Sequence, residues 1–196
     1  AQPFTHEGEV YKFGELAVRP APSKRIPILI GGGAEPAIRR AARLADGIYS
    51  NASANGFLRQ LEWIRDECER IGRDPAELRI VHYSVILPGA SADEAWARYT
   101  DHLWQMTWKY SDMEASANRP GPPPAAPRMT ENDREALFRR ATIAGSSDQI
   151  VETLLELRER AGVPVEFAAR SYFATLDYGA QVELMSQLAE EVAPRV

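Results

Sequence analysis

Pro27-Ile28-Leu29-Ile30 runs directly into Gly31-Gly32-Gly33 and then into helical apolar spacing, and this order constrains the fold more than any other stretch. The apolar run has the character of a strand covered on both faces, as strands of parallel sheets are. The glycines permit a tight turn and a close approach of main chain that a Cβ would obstruct. Glu35 and Pro36 fall in the first helical turn, where an acid suits the helix dipole and proline gives up no hydrogen bond. Ala37, Ile38, Ala41, Ala42, Leu44 and Ala45 then make an apolar face, with Arg39, Arg40 and Arg43 on the other side. Asp46-Gly47-Ile48-Tyr49 opens the next strand. Together these pieces form a βαβ unit, whose free amides at the helix start can hold a phosphate. The glycines alone leave two readings open, a tight turn without a ligand and a phosphate seat. They depart from the dinucleotide-binding pattern, because no further glycine follows at the expected place and no acid ends the next strand.

The segment PILIGGGAEPAIRRAARLADGIY is flanked by GEVYKFGELAVRPAPSKRIPILIGG upstream, and by AGSSDQIVETLLELRERAGV and SYFATLDYGAQVELMSQLAEEVAP downstream. This ordered set resembles the bacterial-luciferase-like family of flavin- or deazaflavin-dependent oxidoreductases, and it covers nearly the whole chain. The resemblance implies an α/β fold of the (β/α)8 TIM-barrel type, and specifically the C-terminal half of such a barrel. It implies FMN or coenzyme F-420 as cofactor. It also implies that amides around Gly32, Gly33 and Ala34, entered from Gly31, receive the cofactor phosphate. Residues near the reacting ring come in this family largely from the other half, so no catalytic acid or base is assigned.

A full (β/α)8 barrel needs about 250 residues; with 196 residues this chain cannot close one alone. Ala1 to Lys24 has little apolar periodicity, and the expected organisation is a connector over 1–25 followed by a half-barrel over 26–196. An insertion of about 91–140 is expected within that half-barrel. Four parallel strands are expected near Pro27–Gly31, Gly47–Ser50, Leu78–Leu87 and Val165–Phe173. Half a barrel leaves two unpaired edges and an uncovered inner face. The expectation is therefore a fragment or a short relative, completed by the missing N-terminal half-barrel or by a second copy in a homodimer.

A hydrophobic content of 44% with 26% charged residues suits one soluble unit, expected in the cytoplasm. The net charge of −5 argues against nucleic acid or an anionic membrane as partner. Cys68 is the single cysteine, which excludes an internal disulfide and fits a reducing compartment. No apolar run approaches the ~20 residues of a membrane span. His6, Glu7 and Glu9 have no histidine or cysteine at metal-binding spacing, and no metal is expected. Phe4 to Arg19 reads as a surface loop with aromatic anchors.

Ser50 and Asn51 follow a strand end, which in a parallel barrel faces the active site, and are candidate donors to a cofactor or substrate. Phe57, Leu61, Ile64, Cys68 and Ile71 mark one face of a helix ended by Gly72. His82 is read first as a hydrogen-bonded core residue, with a catalytic role as the alternative. Trp96, Trp104 and Trp108 cluster on a helix beginning at the capping pattern Ser91-Ala92-Asp93-Glu94. They pack on the barrel wall or a partner, or else form a lid over a bulky planar substrate. Asn118 to Met129 is rich in proline and reads as a loop. Ser146 or Ser147 caps the next helix, the preferred reading; the alternative is a phosphate site, common at this late helix start in (β/α)8 enzymes. Arg170 and Tyr172 share one face of the last strand, where a buried charge must be paired or bind an anion. Its candidate protein partners are Glu166 and Asp177. Val182, Met185, Ala189 and Val192 are expected to face inward on the closing helix.

The expected substrate pocket thus contains Arg170, Tyr172, Trp104 and Trp108, and the expected cofactor site Gly31, Gly32, Gly33, Ala34 and Ser50. The favoured activity is oxidation, reduction or monooxygenation of a small organic molecule. One alternative is a non-catalytic flavin-binding or assembly module. Another is a phosphate-handling lyase or isomerase, although no strand-end lysine or carboxylate pair supports it.

Overall fold

The computed structural model describes residues 2–116, 121, 124–138 and 142–196. The βαβ unit is present: β3 (Leu29–Gly31), α1 (Glu35–Leu44) and β4 (Gly47–Ser50) follow in order. Before it, β1 (Phe4–Glu7) and β2 (Lys12–Leu16) pair as an antiparallel hairpin rather than as the expected loop. Phe13 meets Phe4 edge-on and stacks on His6. Both strands are exposed, so no alternation of buried and polar residues announced them.

After β4 come α2 (Ala54–Ile71), β5 (Arg79–Pro88), α3 (Ala92–Ser116) and α4 (Glu131–Phe138). The chain then forms β6 (Thr142–Gly145), α5 (Ser147–Ala161), β7 (Glu166–Arg170) and α6 (Tyr178–Gln187). A wide turn over Leu188–Val192 and a tight one over Ala193–Arg195 close the chain. Part of the expected proline-rich loop, residues 118–120 and 122–123, lies outside the described residues.

The four expected strands form one parallel sheet in the order β3-β4-β5-β7. The last is shorter than expected, Glu166–Arg170, because the side-chain amide of Gln181 ties off the segment beyond it. Gln181 Nε2 donates to Ser171 O at 2.5 Å, and Phe173 N donates to Gln181 Oε1 at 2.9 Å. β6 is a fifth strand that the sequence did not announce. Val81 and His82 pair with both β4 and β7, while Val85 pairs with both β6 and β7. β4 and β6 therefore share one edge of the long β5, one along each half. The outer edges of β3 and β7 carry no further strand among the described residues.

One core lies between α1, α2 and the β4–β5 sheet, around Ile38, Ile48, Phe57, Leu61 and Ile80. The other gathers Tyr99, Leu103, Ile150, Leu154, Phe173 and Leu184 beneath α3, α5 and α6. Helix ends follow local chemistry. Ser53 and Ser146 cap α2 and α5, the latter with Gln149 in a reciprocal capping box, and Gly72 and Gly162 end them in the left-handed conformation. Arg73 donates to the carbonyls of Ala42 and Ala45 at 2.8 and 2.9 Å, closing the end of α1. Five expected inward residues are exposed instead: Leu44, Ile71, Val182, Met185 and Ala189. On α6 the buried face is Gln181, Leu184, Leu188 and Val192, about one residue rotated from the expected Val182, Met185 and Ala189. Met185 and Ala189 line an apolar groove of about 600 Å³ against the outer side of β7. The helix is apolar on two sides, and periodicity alone could not say which was inside.

Candidate functional site

The register of the sheet sorts its residues onto two faces, since neighbours along a strand alternate. Gly31, Tyr49, Val81 and Glu166 stand in one row, with Tyr83 beside Ala168 and Val85 beside Arg170 in the next two. At its Arg170 end this face meets α3 through Tyr110. The opposite face, carrying Ile48, Ile80, His82 and Phe167, packs on α2 and α5.

His82 belongs to that covered face. Its Nε2 donates to Ala52 O at 3.1 Å, since a carbonyl can only accept, and Nδ1 takes the Ser84 hydroxyl at 3.1 Å. Phe57 packs on the ring at 4.5 Å. Burial pushes the imidazole below its ordinary value, although the Ala52 bond opposes this, so His82 is a neutral core residue at pH 7. Ser50 is on the same side and fully buried. Its hydroxyl donates to Gln60 Oε1 at 2.6 Å and accepts from Ala52 N at 3.3 Å. The side chain expected to serve a cofactor is instead spent on holding the loop after β4, away from the open face; Asn51 is exposed on that loop.

The glycine turn lies at the C-terminal end of β3 and is open to solvent from Gly31 to Ala34. Gly32 has φ +148°, a conformation that favours glycine, and a Cβ there would come to 3.0 Å of the Ala37 side chain. Gly33 differs: a Cβ would meet nothing within 4 Å, so the space before the helix is free. Ala34 is the N-cap of α1 and offers no side-chain cap. Pro36 has no amide hydrogen, and Ala37 N turns back to Ala34 O at 3.0 Å. The amides of Gly33, Ala34 and Glu35 find no acceptor among the described residues. Arg39 adds no charge to the turn, because it pairs with Glu35 at 2.7 Å and reaches Asp66 and Glu67 of α2 at 3.5 Å. Asp46 braces the entry to the strand, accepting Ile28 N at 2.7 Å and pairing with Arg25 at 2.6 Å.

At the other side of the sheet, Tyr49 and Tyr83 lie with ring centres 5.6 Å apart. Arg170 places its guanidinium 6.0 Å from the Tyr83 ring and 5.2 Å from the Tyr110 ring, and donates to the Tyr110 hydroxyl at 3.2 Å. Burial raises the Tyr83 phenol, and the Arg170 charge offsets part of that rise. Neither expected carboxylate reaches Arg170. Glu166 is held bidentately by Arg79, with Arg79 Nη2 2.6 Å from Oε2, and Asp177 caps α6 by accepting Ala180 N at 3.0 Å.

Arg170, Tyr172 and Trp108 meet in a cleft of about 540 Å³ between α3, the end of β7 and residues 124–126. His102, Met106, Lys109, Tyr110 and Met113 complete much of its wall. Trp104 is absent from it; its indole donates to Pro127 O at 2.9 Å and so holds the segment that forms one side. Tyr49, which the sequence left unremarked, belongs to the open face because alternation along β4 puts it opposite Ile48. By contrast, the N-terminus of α5 faces Glu190 and Glu191, with Ser147 donating to Glu191 at 2.5 Å, and is capped by Ser146. Carboxylates at that place leave no room for a phosphate charge.

Residues 1–164 match the luciferase-like monooxygenase family. The chain belongs to that family. The solved structures it resembles are oxidoreductases of the same barrel type. A coenzyme F-420-dependent tetrahydromethanopterin reductase from Methanopyrus kandleri aligns with a TM-score of 0.64 and 20% identity, over 97% of this chain and 57% of that one. The monooxygenase RslO1 from Streptomyces bottropensis aligns at 0.70 and 17%, over 99% and 56%. The FMN-bound oxygenating part of 3,6-diketocamphane monooxygenase from Pseudomonas putida aligns at 0.61 and 17%, over 100% and 58%. An uncharacterised Mycobacterium tuberculosis protein is 32% identical over 79 residues, 40% of this chain and 27% of that protein. This luciferase-like chain thus spans little more than half the length of these solved relatives. Among its described residues no helix is long and apolar enough to cross a membrane.

Proposed function

We propose that this chain is the cofactor- and substrate-binding half of a luciferase-like oxidoreductase that uses FMN or coenzyme F-420. The observation that carries the reading is the open, uncapped start of α1, where the amides of Gly33, Ala34 and Glu35 are unclaimed and the space before Gly33 is empty. Such amides favour an anion through hydrogen bonds and the helix dipole together. Gly31 and Gly32 let the chain turn there without a side chain in the way. The glycine turn and Arg170 stand three strands apart across the sheet, roughly 14 Å at about 4.8 Å each, and four residues apart along it, roughly 13 Å at about 3.3 Å each. A ligand touching both has to be elongated, as a phosphate-bearing flavin or deazaflavin is.

The cofactor supplies hydride or oxygen chemistry when bound. The protein's part is to grip the phosphate at the glycine turn, to offer the Tyr49 and Tyr83 rings along the open face, and to hold substrate in the cleft at Arg170. Another half-barrel, from a longer polypeptide or a second copy, would pair the edges of β3 and β7 and cover that face. Titration of the chain with FMN and with F-420, followed by the fluorescence of each, tests the reading. Saturable quenching by either supports it, and binding of neither refutes it for this chain.

A further inference from the structure

We infer that the cleft at Arg170 selects a planar organic anion, a carboxylate carried on an aromatic or similarly flat apolar body. This rests on the functional reading above and names the substrate class of the same site. The guanidinium is half-buried and sandwiched against two tyrosine rings, yet among the described residues no carboxylate pairs with it. Glu166 and Asp177, the acids close to it in sequence, are committed to Arg79 and to the start of α6. Among the described residues its hydrogen bonds go only to neutral hydroxyls, that of Tyr110 at 3.2 Å and that of Tyr83, which leaves most of its five N–H groups unused. A partly desolvated charge with unused donors in a fork geometry is matched by a carboxylate, which accepts two parallel bonds.

The walls agree. The chain as a whole carries −5, but the described residues lining this cleft include Arg170, Lys109 and His102 and neither aspartate nor glutamate. Lys109 lies 5.6 Å from the Trp108 ring and is balanced by Asp112 at 2.9 Å. That leaves Arg170 as the cation directed at a ligand. Trp108, Met106, Met113 and Tyr172 provide the apolar surface; rings stack on flat bodies, and thioethers adapt to them and make favourable sulfur–aromatic contacts.

The probes are 2-naphthoate and its neutral isostere 2-naphthamide, each titrated by calorimetry and by tryptophan fluorescence. 2-Naphthoate should bind at least tenfold more tightly than 2-naphthamide at low salt. Arg170→Met should abolish that preference and leave 2-naphthamide unchanged, while Arg170→Lys should retain part of it. Equal affinities in the unaltered protein, or a preference that survives Arg170→Met, overturn the inference. So does a loss of FMN or F-420 affinity in Arg170→Met with 2-naphthoate binding intact, which would assign Arg170 to the cofactor. Comparison of the two probes on the unaltered chain decides even if a variant misfolds. It needs no cofactor, so a failure to bind FMN and F-420 is read separately.

Discussion

Replacing Ala34 by aspartate should stabilise the protein and weaken cofactor binding, and both effects arise from the same few atoms. Ala34 is the N-cap of α1, with φ −83° and ψ 142°, a backbone that a capping side chain adopts without strain. Its methyl group caps nothing. A capping carboxylate in place of alanine contributes about 0.5–2 kcal/mol. Pro36 offers no amide and Glu35 adds a like charge nearby, so the lower half of that range applies, a rise in Tm of roughly 2–4 °C for a chain of this size. The same carboxylate would stand where the phosphate is proposed to sit. At about 5 Å and an effective dielectric of about 20, the repulsion is roughly 3 kcal/mol per unit charge. A lost amide-to-phosphate bond adds about 1.5–3 kcal/mol. Even if solvent halves the sum, about 2 kcal/mol remains, a loss in affinity of some thirtyfold. Ala34→Ser is the companion: it caps without charge and should raise Tm alike, with only about a tenfold loss. Thermal melts and fluorescence titrations with FMN and F-420 read the two quantities independently. A higher Tm with affinity within twofold of the unaltered protein would refute the phosphate seat. Gly32→Val is a poorer probe, because φ +148° and the nearby Ala37 side chain tie that position to folding as well.

Phe57→Ala empties a fully buried ring site against His82 and should cost about 3–5 kcal/mol, measured as a fall in denaturation midpoint; a change under about 1 kcal/mol would show that this core is not packed as described. Gly47→Ala should cost about 1–3 kcal/mol or more, because a Cβ there collides with the backbone carbonyl of Arg79 in the neighbouring strand; a neutral effect in thermal melts would refute the close approach of β4 and β5. The Glu67 carboxyl, bonded by Arg70 and Arg43, is held down from its ordinary 4.5 to about 2. Its folded value lies below its unfolded one, so its stabilisation is complete above about pH 4.5 and is lost as pH falls toward 2. Glu67→Gln should lower Tm at pH 7 and flatten the dependence of stability on pH in that window; an unchanged acid profile contradicts the assignment.

Much of the frame was legible in the sequence because its signals are local. The glycine run followed by Glu35 and Pro36 marked a strand-to-helix turn, and the Ser146–Gln149 capping box marked a helix start. Alternation along the last strand put Arg170 and Tyr172 on one face but left open which face that was and what surrounds it. Tyr110 lies 60 residues away from it in sequence, and Glu166 was a plausible partner until Arg79 claimed it. Ser50 shows the limit from the other side. A residue at a strand end in a parallel barrel is a fair candidate for a ligand contact, yet Gln60 draws it into the core. β6 and the β1–β2 hairpin are short and have no periodic apolar face, so they gave nothing to read.

The sequence by itself determined the four main parallel strands and the helices between the first three of them, the backbone turn at Gly31–Gly33 and the family. These depend on dihedral preferences, caps and spacing that act within a few residues. Tertiary structure decided which side of each amphipathic element is inside, which charges neutralise one another, and which cation remains for a ligand. Packing settles those matters between residues distant in the chain: rotating α6 by one position exposes Met185 and buries Leu184, and pairing Arg79 with Glu166 leaves Arg170 facing the cleft. Local rules are indifferent to either choice, because both satisfy them equally.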